Sequence, residues 1–182
     1  IWQYIDMGLI LRELEIRDEH EALAAHREFP DWEFLLSYKP EMKWAKFVES
    51  YQKMRLGEDL PKGFVPATFF IAEVDNKLIG RASIRHQLNT FLLNYGGHIG
   101  YGVRPKFRRR GYATEILRQS LSYIRELGVE DILVTCFAEN IGSATVIERC
   151  GGELENTVER DGKPLRRYWI RMATSDAGGK HV

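Results

Sequence analysis

Apolar and charged residues alternate over residues 9–16 (Leu11, Arg12, Glu13, Leu14, Glu15, Ile16), a period of two that predicts a first strand with one covered face. Residues 17–27 lose that alternation, become Ala-rich and stop short of Pro30, as a short helix does. A second helix is predicted from Pro40 onward, where Trp44, Phe47, Val48 and Tyr51 recur at three- and four-residue spacing. Residues 68–74 and 78–84 read as two strands around the tight-turn pair Asp75-Asn76. A loop over 89–97 leads into a further strand at 98–103. Over 111–127 the apolar positions Ala113, Ile116, Leu117, Leu121, Ile124 and Leu127 form a helical stripe that Gly128 is suited to end. Residues 132–137 are an almost unbroken apolar run, which predicts a central strand covered on both faces. A short helix over 143–150 stops at Gly151-Gly152, and strands over 153–160 and 165–172 flank the turn Asp161-Gly162. The predicted order is strand, two helices, three strands, helix, strand, helix, two strands. That is a mixed α/β domain with helices on both sides of one twisted sheet.

Composition narrows the class without naming a function. The 182 residues, 44% hydrophobic and 29% charged, suit one soluble domain over 1–173, with a Gly/Ser/Asp/Lys-containing flexible tail over 174–182. No apolar run approaches the roughly 20 residues that cross a bilayer, so no membrane partner is expected. Asp6, Arg12 and Glu13 interrupt the early apolar stretch, which argues against a secretory signal. Cys136 and Cys150 lack the close spacing of redox or zinc motifs, so two buried thiols in a reducing cytoplasm, and no metal, are expected.

Charge is balanced overall, with 26 basic and 26 acidic residues, but not along the chain. Residues 1–60 hold 8 Lys/Arg against 13 Asp/Glu, and residues 61–182 hold 18 against 13. An acidic half beside a basic half suits a cationic substrate and an anionic cofactor, although solvated faces produce the same asymmetry.

The chemistry concentrates in His98-Ile-Gly-Tyr-Gly-Val-Arg-Pro-Lys-Phe-Arg-Arg-Arg-Gly-Tyr-Ala-Thr114. A strand ends at Val103, a basic loop follows, and a long helix begins near Gly111. The first amides of that helix lack internal partners and carry the positive end of the helix dipole. Gly111 removes the Cβ that would hold a ligand off the backbone, Ala113 is small, and Arg108, Arg109 and Arg110 add charge. Together these predict a pocket for a phosphate-bearing anion. Neither GxxxxGK[ST] nor GxGxxG occurs, which disfavours the nucleotide loops that use the same physics.

Arg108-x-x-Gly111-x-Ala113 resembles the [Q/R]-x-x-G-x-[G/A] signature of the GNAT N-acetyltransferases, placed as in that family between a strand ending Tyr-Gly-Val and a helix. Asn140-Ile-Gly-Ser143, followed by a short helix and Gly151-Gly152, resembles the family's second segment. The resemblance covers about 68–172 firmly and residues 1–60 in outline. It implies a central twisted, mostly antiparallel sheet, an acetyl-CoA-binding core over 68–172, and an acceptor side built by 1–60. It also implies transfer of an acetyl group from acetyl-CoA to a small-molecule or protein amine by direct attack in a ternary complex. By the same resemblance Tyr101, Gly102 and Val103 would pair with the pantetheine arm, and the Val103 amide would polarise the thioester carbonyl. Arg108, Arg109, Arg110, Gly111, Tyr112, Ala113 and Thr114 would hold the pyrophosphate, and Asn140 and Ser143 would contact the pantetheine, although both residue types equally suit helix capping.

The family's usual base and acid positions are Thr135 and Ile147, and neither titrates usefully. His98, on the preceding strand, is the candidate base, against a hydrogen-bonded structural role. His86 is a weaker one, and Tyr168 or Tyr112 could supply a hydroxyl. Trp32, Phe34, Trp44, Phe47 and Tyr51 belong to core or acceptor pocket, and the loop 89–97, with Phe91 and Tyr95, reads as a substrate flap. A possible homodimer is fold analogy alone. The rival readings are a non-catalytic acyl-CoA sensor and an RNA-directed acyltransferase using residues 106–110. Zero net charge and one short basic cluster weigh against a nucleic-acid partner.

Overall fold

The computed structural model describes residues 8–29 and 34–171. Trp32 and the tail over 174–182 lie outside the described residues. Strand β1 (Ile10–Glu13) is shorter than the alternation predicts, and a 3-10 turn (Ile16–Asp18) leads into helix α1 (Glu19–Arg27). Helix α2 (Trp44–Leu56) starts four residues after Pro40. Pro40 instead sits in a separate turn closed by Met42 N–H on Lys39 O at 2.9 Å, and Lys43 is extended. The stripe holds: Trp44, Phe47, Val48 and Tyr51 are all buried. Strands β2 (Ala67–Val74) and β3 (Lys77–Arg85) join through Asp75 and Asn76, both at positive φ, as a type I′ turn requires.

Residues 92–96 form one turn of π-helix (Leu92–Gly96), not an open flap. Strand β4 (Ile99–Val103), helix α3 (Tyr112–Glu126), strand β5 (Ile132–Phe137) and helix α4 (Ile141–Arg149) follow. Strands β6 (Gly152–Arg160) and β7 (Lys163–Ile170) form the last hairpin.

The predicted single sheet is divided. Strands β1-β2-β3-β4 make one antiparallel sheet and β5-β7-β6 another. Strand β5 is therefore an edge strand rather than a central one. Its apolar run has two covers: Ile132, Val134 and Cys136 join the core beneath α3 and α4, while Thr135 Oγ1 donates to Tyr95 O at 2.9 Å in the π-turn.

One apolar core gathers α3, α4 and one face of β3 and β4, including Ile84, Ile99, Ile116 and Ile147. A second gathers α1, α2 and the facing side of β2, with Leu78 of β3, including Phe34, Phe47, Phe69 and Ile71. Phe34, Trp44, Phe47 and Tyr51 are core residues, and Tyr51 also borders a small pocket described below. Cys136 is buried and Cys150 half-buried, both as free thiols. Among the described residues no helix is long and apolar enough to cross a membrane, and no group of His, Cys, Asp and Glu is arranged to hold a metal.

Candidate functional site

The two sheets touch at one end and part at the other. At the closed end His98 N–H donates to Leu133 O at 2.7 Å, and Leu133 N–H donates to His98 Nδ1 at 3.0 Å. Gly97, at φ 64°, lies so close that a Cβ there would stand 2.6 Å from Leu133 O. Beyond this seam β4 has no strand on its outer edge.

The phase of the β3–β4 ladder decides what that edge offers. Arg85 N–H bonds His98 O at 2.8 Å and Arg104 N–H bonds Ile79 O at 2.9 Å, so the even-numbered residues of β4 face β3. By the alternation of an antiparallel ladder, the backbone groups of Tyr101 and Val103 point the other way, into the gap. A cleft of about 990 Å³ opens there.

The loop after β4 forms the next wall. Arg109 (φ 61°) and Gly111 (φ 85°) both take left-handed backbone, and Gly111 caps α3. For Arg109 this conformation is strained, and such strain accumulates where a loop must aim its amides. Within α3 the first amides bonded back to Gly111 O are those of Thr114 (3.1 Å) and Glu115 (3.2 Å), which leaves the Tyr112 and Ala113 amides at the helix mouth. Arg108 Nε donates to Val103 O at 3.0 Å and fixes the loop against the strand. Lys106 and Arg110 lie over the Phe107 ring, at 5.2 and 6.0 Å.

Helix α4 supplies the opposite wall. The Asn140 side chain caps it, accepting from Ser143 N–H at 3.0 Å. Ser143 Oγ is 2.9 Å from the Tyr101 hydroxyl and ties α4 to β4 across the cleft. Burial pushes the Tyr101 phenol well above the usual tyrosine range, so it stays protonated.

Eleven of the twelve anion-site and strand-edge residues expected from the sequence line this cleft; the exception is Arg110, drawn aside over Phe107. The sequence reading missed Phe107, Ile141, Gly142, Thr145, Val146 and Arg149 as lining residues. The spacing of Ile141, Thr145 and Arg149, one residue per helical turn, is the signal that could have found them.

The titratable candidates lie elsewhere. His98 is 5% exposed, and burial, with Arg85 nearby, pushes its pKa down to about 4. Its Nδ1 is already an acceptor. His86 Nε2 contacts Thr68 Oγ1 at 2.8 Å, which in turn contacts the Tyr123 hydroxyl at 2.8 Å, and burial lowers its pKa as well. The buried Tyr168 hydroxyl donates to Glu148 Oε1 at 3.1 Å. Of the tyrosine candidates only Tyr112 borders the cleft. Ile147 is fully buried, and Thr135 is bound to Tyr95 O.

Residues 8–153 match the family model described as an acetyltransferase (GNAT) domain. The chain is 25% identical over 156 residues to the uncharacterized N-acetyltransferase YnaD of Bacillus subtilis, covering 78% of this chain and 85% of that protein. Mycobacterium smegmatis RimJ, solved in complex with CoA-disulfide, shares the fold at TM-score 0.67 and 19% identity, over 90% of this chain and 82% of that one. The yncA protein of Salmonella typhimurium, solved with acetyl-CoA, aligns at TM-score 0.62 and 12% identity, over 96% and 99%.

Proposed function

The chain belongs to the GNAT acetyltransferase family, and from that premise we propose that it moves the acetyl group of acetyl-CoA directly to a primary amine bound in a ternary complex. One observation carries the reading: a strand edge at Tyr101 and Val103, paired with no other strand among the described residues, runs straight into a nest of helix-mouth amides and arginines. An elongated ligand with a peptide-like arm and a pyrophosphate at one end needs that succession. The amide–carbonyl arm adds to β4 as a strand would, and the pyrophosphate meets the amides from Arg109 to Ala113.

Acetyl-CoA supplies an activated acyl group when bound. The Val103 N–H is then the donor for the carbonyl oxygen, where charge builds as the amine nitrogen attacks. The amine nitrogen bonds to the carbonyl carbon, the carbon–sulfur bond breaks, and the sulfur takes up a proton. The Tyr101 hydroxyl, held by Ser143 and kept protonated by burial, would offer the departing sulfur a hydrogen bond, with water supplying the proton.

His98 serves this reading as the clasp of the seam, not as the base. Its proton-accepting nitrogen is occupied, and its lowered pKa makes it a weak acceptor. Among the described residues no Asp, Glu or His lines the cleft, and this reading has the acceptor amine give up its proton to water.

Thermal melting tests the cofactor reading. With ligand at about 100 times its dissociation constant, acetyl-CoA and CoA should each stabilise the fold by about 2.7 kcal/mol, several degrees for a domain of this size. ATP and NAD should leave the transition in place. No shift with either CoA species would end the proposal.

A further inference from the structure

On the opposite face of β4 from α3, a second cavity of about 250 Å³ opens between α2, β3 and the π-turn. Its walls are mostly apolar, and Phe64 and Phe91 border it while themselves half exposed. Ser37, Ser83, Arg85 and Asn89 break the apolar pattern of the wall, and Asn89 is engaged with Gly63 O and Leu92 N–H. Arg85 and Ser83 both line it, and neither side chain has a hydrogen-bond or ion-pair partner among the described residues. Among the described residues no Asp or Glu lines it.

An arginine in such surroundings is costly, because its charge is taken from water with no counter-charge supplied. Burial pulls the guanidinium below the usual arginine range, but arginine does not deprotonate in proteins. Arg81 adds a second cation on the same face and donates to Gly100 O at 3.4 Å. The other arginine anchored close to β4, Arg104, is fully compensated by Glu21 and Glu28.

The register sets the polar end of the cavity beside β4. Ser83 pairs with Gly100 and Arg81 with Gly102, so on this face β4 presents no side chain at either position. A Cβ at Gly100 would stand 3.1 Å from Arg85 Nη1, so the glycine is what leaves room for the guanidinium. Three residues of strand, about 10 Å, separate Gly100 from Val103. An amino-acid-sized molecule spans that distance with one hydrogen-bond length at each end.

We infer that this cavity is the acceptor site and that the acceptor is an apolar amine carrying a carboxylate, an aromatic or aliphatic amino acid, whose carboxylate is held by Arg85 and Ser83. The inference rests on the acetyl-transfer reading for the role of the amine, while the carboxylate recognition stands on the cavity alone. It runs against the expectation from the acidic first 60 residues, which favours a cationic substrate.

The test compares ligands that differ by the carboxylate, using the full chain. Calorimetry measures binding of N-acetyl-L-phenylalanine and of N-acetylphenethylamine, with CoA affinity measured on the same samples. The carboxylate-bearing ligand should bind at least about tenfold more tightly, the loss expected when a charged hydrogen-bond partner is missing. In R85Q the gap should close with CoA affinity unchanged, and R85K, which keeps charge but loses the fork, should retain part of it. Acetyl-CoA turnover should follow the same order for L-phenylalanine over phenethylamine. Equal binding of the two ligands, no binding of either, or a preference for the uncharged one would overturn the inference, and the unmodified protein alone decides this even if R85Q does not fold. Normal CoA binding without a carboxylate preference sinks the acceptor assignment only. A carboxylate preference without CoA binding sinks the acetyl-transfer reading and leaves the Arg85 site standing.

Discussion

His98 and Leu133 exchange two hydrogen bonds, Leu133 N–H to the imidazole Nδ1 at 3.0 Å and His98 N–H to Leu133 O at 2.7 Å. A side chain here replaces one backbone acceptor of a sheet ladder, so two sheets are joined at a point where β4 and β5 already begin to diverge. The neutral imidazole is required, because a protonated ring has no acceptor to offer at Nδ1.

Replacing His98 by alanine should therefore cost stability. It strands the buried Leu133 N–H, a loss of about 1–3 kcal/mol before the cavity is counted. The pH dependence identifies the cause. The folded pKa is pushed down to about 4 while the unfolded imidazole titrates near 6.5, so the unfolded chain takes up the proton first as pH falls. The contribution is intact above pH 6.5 and is lost progressively between 6.5 and 4, on the order of 3 kcal/mol in all. Urea unfolding at pH 7.5 and 5 should show this slope in the unmodified protein and its reduction in H98A. An unchanged slope would remove His98 from the account.

Arg104 ties helix α1 to the end of β4. It donates to Glu28 through Nε (3.0 Å) and Nη2 (2.6 Å), to Glu21 at 3.0 Å and to Leu78 O at 2.8 Å, and its side chain is only 3% exposed. The glutamates are half exposed and can be rehydrated, so Arg104→Met should cost about 2 kcal/mol, nearer the value of a charged hydrogen bond than that of a stranded buried ion. Arg104 holds the Glu28 carboxyl below its usual range. Part of the cost should thus vanish as pH falls below about 4.5, where the unfolded carboxylate takes up its proton. Chemical unfolding of R104M at pH 7 and pH 3.5 measures both effects.

What the sequence discloses is local. Gly111, Ala113, Asn140 and Ser143 act through backbone conformation and capping within a few residues, so their spacing alone points to the cleft that the fold assembles. Strand β5 shows the other case. Its apolar run is compatible with a central strand, but burial comes from α3 and α4 on one side and a π-turn on the other, and no local pattern encodes which neighbours do the covering. The same non-local cause hides the partner of His98 and the lack, among the described residues, of one for Arg85. A titratable residue on a strand is visible in sequence, whereas its hydrogen-bond state is fixed by residues 35 positions away or by none.

Gly111 carries the loop geometry on which the proposed anion binding depends. At φ 85° an alanine is forced into left-handed backbone, costing roughly 1–2 kcal/mol or rotating the Tyr112 and Ala113 amides off the ligand. G111A should lower CoA affinity about tenfold in calorimetry while changing the unfolding midpoint little. Dephospho-CoA, which keeps the pyrophosphate, should lose the same factor, and pantetheine, which lacks it, should lose none. An equal loss for pantetheine would point to general distortion of the cleft instead.

Proton removal from the acceptor is where the cleft differs most from the expectation of a resident base. Among the described residues no Asp, Glu or His lines it, and on the proposed reading only the amine already neutral in solution reacts. That fraction grows tenfold per pH unit below the amine's own pKa, about 8 for an α-amino group and about 10.4 for an alkylamine. The pH profile of kcat/KM should accordingly rise with unit slope and level off near the pKa of whichever amine is supplied, moving when the amine is changed. H98A should keep the shape of the curve even where its amplitude falls. A break between pH 6 and 8 that stays fixed across amines of different pKa would reveal a protein base, and its loss in H98A or in His86→Ala would say which residue supplies it.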